Sequence, residues 1–148
     1  MILIKEKELT IKMKLKTSFV QLKDAKELEK MDKIANQEFK WWHSASKQKF
    51  EKIIRGLRHL IVVVKKEKKI IGYLEAKFKD DRNTIWIENV YILKKFRGRQ
   101  ISKHMMNQFL KYWKNKVDNI VLLTADRNKE IFEKLGFKKT MNYMEFIG

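Results

Sequence analysis

The part of this 148-residue chain best equipped for chemistry is Glu88–Ser102, ENVYILKKFRGRQIS, where a strand-like run passes through a basic turn into a helical pattern. The first backbone N–H groups of a helix lack intrahelical acceptors, and the helix dipole favours anions at that end. Arg97 and Arg99 add positive charge, and Gly98 lets the backbone approach a ligand closely. Such a turn suits a pyrophosphate. The same residues also suit an ordinary strand-to-helix turn with solvated arginines, and spacing alone leaves both readings open. Other chemistries are easier to set aside. The chain has no cysteine, which excludes disulfides, thiolate nucleophiles and cysteine-based zinc sites. His43, His59 and His104 lie far apart without helical ligand spacing, so no metal site is expected.

The elements that must position this turn follow from hydrophobic periodicity. Leu9, Ile11, Met13 and Leu15 alternate with polar residues, which predicts a half-buried strand; Phe19–Leu22 predicts a second short one. Asp24, with Glu27 three positions on, predicts a capped helix carrying the stripe Ala25, Leu28, Met31, Ile34 and Ala35. A second helix follows from Phe50, Ile53, Ile54 and Leu57. Val, Ile, Trp and Tyr then concentrate in His59–Val64, Lys69–Phe78 and Thr84–Leu93, three strands joined by short charged turns and therefore expected as antiparallel neighbours. Ile101, Met105, Met106, Phe109, Leu110 and Trp113 return to helical spacing. Ile120–Thr124 predicts a buried strand, and Asp126 starts a helix that Gly136 stops. Phe137–Lys139 and Asn142–Ile147 predict two final strands. The pattern implies one α/β domain over 1–148, with a mixed, mostly antiparallel six- to seven-stranded sheet covered by helices on both faces and residues 1–16 as an extra N-terminal strand.

Charge is the strongest compositional signal: 35 Lys and Arg against 18 Asp and Glu, a formal net charge of +17 spread along the whole chain. Such a field attracts RNA, DNA, ribosome surfaces or the phosphates of a small ligand; equally, lysine is simply the preferred surface residue here. The longest clean apolar run is Leu60–Val64, far short of a membrane span, and the N-terminus lacks a signal-peptide core. A soluble, cytoplasmic protein without membrane contact is expected.

The stretch around Arg97, Gly98 and Ile101 resembles motif A of the GNAT superfamily of N-acetyltransferases, Arg/Gln-x-x-Gly-x-Gly/Ala after a strand. Gly72 in IIGYLEAKF and the run IFEKLGF at 131–137 are similar to further family features, and the element order agrees from about residue 19 onward. The resemblance implies an acyl-CoA N-acyltransferase fold and transfer of acetyl from acetyl-CoA to a primary amine, by direct attack in a ternary complex, with the acceptor unspecified. It implies that Arg97, Gly98, Arg99, Gln100, Ile101 and Ser102 hold the pyrophosphate, and that the backbone around Ile92 and Leu93 pairs with the pantetheine arm. Glu88, nine residues before Arg97, is then the expected general base, a carboxylate between Trp86 and Val90. Trp41 and Trp42, between the first two helices, are expected on the acceptor side, with core packing the alternative reading of at least one.

The chain also departs from that pattern. Gln100 stands where the family prefers glycine, and Ser102 where it prefers glycine or alanine. Phe132 replaces the tyrosine expected to protonate the departing thiolate, so that role falls to Tyr143, Tyr91 or water. These departures, together with the charge, sustain a second expectation: a catalytically weakened module of the same shape that binds RNA, the ribosome or another polyanion. Either form is expected as a monomer or a homodimer.

Overall fold

The computed structural model describes residues 14–79, 83–142 and 144–148. Five strands form one sheet in the order β1-β2-β3-β4-β5: Leu15–Phe19, Ile61–Lys66, Lys69–Lys79, Thr84–Ile92 and Asn119–Val121. The first four are antiparallel neighbours, and β5 is parallel to β4. The helices are α1 (Ala25–Glu38), α2 (Lys47–Leu57), α3 (Ile101–Trp113) and the short α4 (Lys129–Lys134).

Alternation along the strands feeds two cores. Ile61, Val63, Tyr73 and Tyr91 pack under α1 and α2, while Val62, Val64, Leu74, Ile85 and Ile92 pack under α3. Helices therefore cover both faces, as the sequence predicts. Two bulges adjust the alternation next to the turn. One, at Ile71, breaks the β2–β3 register; the other, at Glu88, breaks the β3–β4 register, because Ala76 opposes Ile87 whereas Glu75 opposes Asn89. Gly72 sits in the first bulge because nothing larger fits. A Cβ there would lie 2.8 Å from the Tyr91 carbonyl oxygen and 2.5 Å from Ile92 Cδ1.

Several expectations are corrected. The sheet has five strands, not six or seven, among the described residues. Residues 137–142 and 144–148 form no strand, and Met141, Met144, Phe146 and Ile147 remain exposed, with no apolar burial to offset the cost of ordering them. The proposed strand at Leu9–Leu15 lies mostly outside the described residues. Next to it, one strand at Leu15–Phe19 replaces the expected Phe19–Leu22, whose end turns into a 3-10 segment at Leu22–Asp24. That segment moves the first helix cap a turn upstream: the Gln21 amide donates to Asp24 Oδ2 at 2.8 Å. Asp24 also pairs with Lys65 at 2.6 Å, and Glu27 receives the Ile70 amide at 2.5 Å, so both acids tie α1 to the sheet.

Candidate active site

The site is built around a parting of two strands. β5 pairs with β4 only over Thr84–Trp86, so β4 runs on from Ile87 without its neighbour. Alternate residues of a strand turn their amides and carbonyls to each side, which leaves backbone groups of the outer half of β4 facing the gap. A cavity of about 400 Å³ lies there. Val90, Tyr91 and Ile92 form one wall, Ile101 and Met106 of α3 another, and Ile131, Phe132 and Leu135 of α4 the third.

The turn closes one end of this cavity. Gly98 (φ 78°) and Gln100 (φ 61°) are both left-handed. Gln100 is the residue before α3, and its carbonyl accepts the first intrahelical bond, from the His104 amide at 3.1 Å. The first-turn amides at Ile101 and Ser102 are thus presented toward the turn. Gly98, Gln100, Ile101, Ser102 and Lys103 all line the cavity. A Cβ at Gly98 would touch nothing within 4 Å, so its glycine answers to backbone conformation and not to space. Gln100 adopts the same conformation without that freedom, at a cost of about 1 kcal/mol.

Arg97 takes a different course from the rest of the turn. Its Nε donates to the Ile92 carbonyl at 2.9 Å, and its two terminal nitrogens donate to Glu38 at 2.5 and 2.6 Å. Glu38 also accepts from the Tyr91 hydroxyl at 2.8 Å. These hydrogen bonds, Arg97 first, hold the Glu38 carboxyl at about 2; burial and Glu38 push the Tyr91 phenol up to about 12.

The other predicted residues are distributed unevenly. Ile92 lines the cavity, whereas the Leu93 amide is committed to the Ile71 carbonyl at 2.9 Å. Trp42 is 3% exposed, its indole Nε1 donating to buried Asp32 at 2.7 Å, and Asp32 also receives the Tyr73 hydroxyl and the Ala45 amide. Trp42 is therefore a core side chain, whereas Trp41 is 67% exposed. Tyr143 lies outside the described residues. Phe132 stacks edge-on against Phe137 on the cavity wall.

Glu88 sits at the β4 bulge, exposed and paired with Lys79 at 3.2 Å and Lys77 at 3.6 Å, rather than enclosed by Trp86 and Val90. The bulge also turns Asn89 toward Glu75, its partner across the β3–β4 ladder; Asn89 Nδ2 lies 3.5 Å from Glu75 Oε1. Glu75 was no candidate base in the sequence. Burial first, then the charges of Asp32 and Glu88, lift its carboxyl to about 7 against the opposing Lys49 and Lys77. Its only sequence signal is a carboxylate inside a mostly apolar strand, IIGYLEAKF.

A model of the Acetyltransferase (GNAT) family matches residues 28–137, which takes in most of α1, the whole of β2–β5 and the turn. The chain belongs to the GNAT acetyltransferase family. It is thereby an acyltransferase, and its fold agrees with solved relatives. Glucosamine-6-phosphate N-acetyltransferase from Arabidopsis thaliana superposes with a TM-score of 0.65 at 21% identity, over 90% of this chain and 97% of that one. A predicted acetyltransferase from Clostridium acetobutylicum with acetyl-CoA gives 0.64 at 16%, over 90% and 96%. An aminoglycoside N-acetyltransferase in complex with CoA gives 0.68 at 14%, over 90% and 94%. No curated protein matches the sequence. Among the described residues of this acetyltransferase, no group of acids and histidines could hold a metal ion, and no helix is long and apolar enough to cross a membrane.

Proposed function

We propose that this acetyltransferase transfers the acetyl group of acetyl-CoA to a primary amine by direct attack, with both substrates bound together. The observation that carries the reading is the cavity between the parted strands β4 and β5, closed at one end by the basic turn before α3. Its residues fit acetyl-CoA. The first-turn amides of α3, Arg99 and the Ser102 hydroxyl suit a pyrophosphate. The open side of β4 near Val90 and Ile92 suits the amides of a pantetheine arm, and Met106, Ile131 and Leu135 suit its carbon chain.

On this reading the thioester lies beside the Glu88 bulge. The neutral amine attacks the thioester carbon, the C–N bond forms, the C–S bond breaks and the sulfur leaves as thiolate. No covalent enzyme intermediate is needed, in keeping with a chain that has no cysteine. The amine proton passes to a carboxylate at the bulge. Glu88 borders the same place, but Glu75, held at about 7, is matched to accepting a proton at neutral pH. Phe132 has no proton to give, and a thiol of pKa about 8.5 leaves tolerably as thiolate, with Tyr143 or solvent returning the proton. Trp41 borders the acceptor. The absence of cysteine also suits a cytoplasmic setting.

The test is calorimetric titration of nucleic-acid-free protein with acetyl-CoA, with dephospho-CoA and ATP as controls. Saturable binding that prefers acetyl-CoA is the expected result. No heat at millimolar acetyl-CoA would overturn the proposal.

A further inference from the structure

Resting on the acetyl-CoA reading of the cavity, we infer that Arg97 is a strut and not a phosphate ligand, and that Glu38 is the positioning residue that holds it. All three guanidinium nitrogens are committed to protein acceptors: Nε to the Ile92 carbonyl, the other two in a fork to both oxygens of Glu38. The fork is the geometry that a guanidinium and a carboxylate form best. The rings of Phe39 and Tyr91 flank it, with the guanidinium carbon 5.7 and 5.3 Å from their centroids. Tyr91 closes the circuit by donating to Glu38.

What the strut joins is informative. Glu38 is the last residue of α1, and the next residues are Phe39, Lys40, Trp41 and Trp42, the joint on the expected acceptor side. Phe39 lines the cavity and stands 5.6 Å from Trp41, ring to ring. Arg97 opens the turn at the other end. One carboxylate–guanidinium pair therefore sets the spacing between the joint that meets the acceptor and the turn that meets the pyrophosphate. Pulling Arg97 away to a phosphate would leave Glu38 with the Tyr91 hydroxyl as its remaining donor, take the Arg97 donor from the Ile92 carbonyl, and free the joint. The phosphate charge is instead met by the turn amides and its other cations.

The strut and the phosphate-ligand roles give opposite results in two variants. Arg97→Lys keeps the charge but loses the fork, and Glu38→Gln releases Arg97 with its charge intact. Acetyl-CoA affinity is measured by calorimetry for wild type, Glu38→Gln, Arg97→Lys, Arg97→Gln and the Glu38→Gln/Arg97→Gln double variant, with folding checked by circular dichroism. If Arg97 is a strut, each single variant weakens binding by a similar factor, about fivefold, and the double is no weaker than either single, because coupled residues are not additive. If Arg97→Lys binds like wild type, or Glu38→Gln binds as tightly or more tightly while Arg97→Gln alone weakens binding, the inference is overturned. A second readout does not depend on the cofactor: acrylamide quenching of the tryptophans in the free protein rises equally in Glu38→Gln and Arg97→Lys. Wild type that fails to bind acetyl-CoA would sink the cavity reading; unchanged quenching in both variants would sink the strut.

Discussion

Glu75 offers the sharpest test of the site, because a carboxylate with a raised pKa leaves a thermodynamic mark that can be measured without knowing any substrate. Its ordinary value is 4.5, and in the fold it is about 7. Below about pH 4.5 the side chain is protonated in both the folded and unfolded states, and the native protein bears no penalty. Between 4.5 and 7 the unfolded chain ionises while the folded one stays protonated, so stability falls as the pH rises; above 7 both are ionised and the loss is complete. That separation corresponds to about 3 kcal/mol, at about 1.4 kcal/mol for each pH unit. Glu75→Gln keeps the shape and removes the ionisation. The variant is therefore expected to match wild type near pH 4.5 and to exceed its stability at pH 8 by about 2–3 kcal/mol. Urea denaturation of both proteins at intervals from pH 4.5 to 8.5, followed by tryptophan fluorescence, measures the difference directly. A difference that stays flat across this range would refute the argument that burial, Asp32 and Glu88 destabilise the Glu75 anion. A gain in stability on removing Glu75 would also mark it as a residue held for some purpose other than folding.

Three further outcomes follow from the geometry. Phe132→Tyr restores a proton donor on the cavity wall and is expected to raise acetyl-CoA turnover, followed by thiol release, about tenfold or more while leaving acetyl-CoA affinity unchanged. Gln100→Gly removes a side chain from a left-handed position and should stabilise the fold by up to about 0.5 kcal/mol in thermal denaturation, the relieved backbone penalty slightly exceeding the added freedom of the unfolded chain. Gly72→Ala forces a methyl group against the Tyr91 carbonyl and Ile92, and should cost about 2 kcal/mol or more and weaken acetyl-CoA binding, both read by denaturation with and without ligand.

Much of the architecture was legible because it rests on local pattern. The helix at Ile101–Trp113 begins and ends where its apolar spacing predicts, and Lys69–Lys79 and Thr84–Ile92 pair as the short charged joints imply. Gly136 is left-handed at φ 100°, as a helix stop requires. Errors arose where the deciding partner lies far along the chain. Ile34 and Leu57 belong to the predicted stripes yet are 45% exposed, since periodicity marks a stripe and not its width. Trp41 and Trp42 are open to either a recognition or a core reading until Asp32, ten positions before Trp42, takes the Trp42 indole. The strand bulges at Ile71 and Glu88 carry no composition signal, although the second sets Asn89 opposite Glu75 and leaves Glu88 to Lys77 and Lys79. Arg97 matched a motif by position, but its partner Glu38 is 59 residues away in sequence, and no spacing rule connects them. The elements of the site could be read; the bonds between elements could not.

The short pairing of β5 with β4 has a consequence for discrimination. A diphosphate is common to coenzyme A and to the cell's abundant nucleotides, so a turn that holds one, as proposed, would by itself recognise a class of anion and not one molecule. The gap beyond Trp86 acts as an unfilled place in the sheet, open to any extended chain that carries amides at the right pitch. On the proposed acetyl-CoA reading, a pantetheine arm enters as a guest strand, and a nucleoside triphosphate, which has no such arm, does not. Selectivity would then reside in the strand that stops early, not in the charges that draw the ligand in.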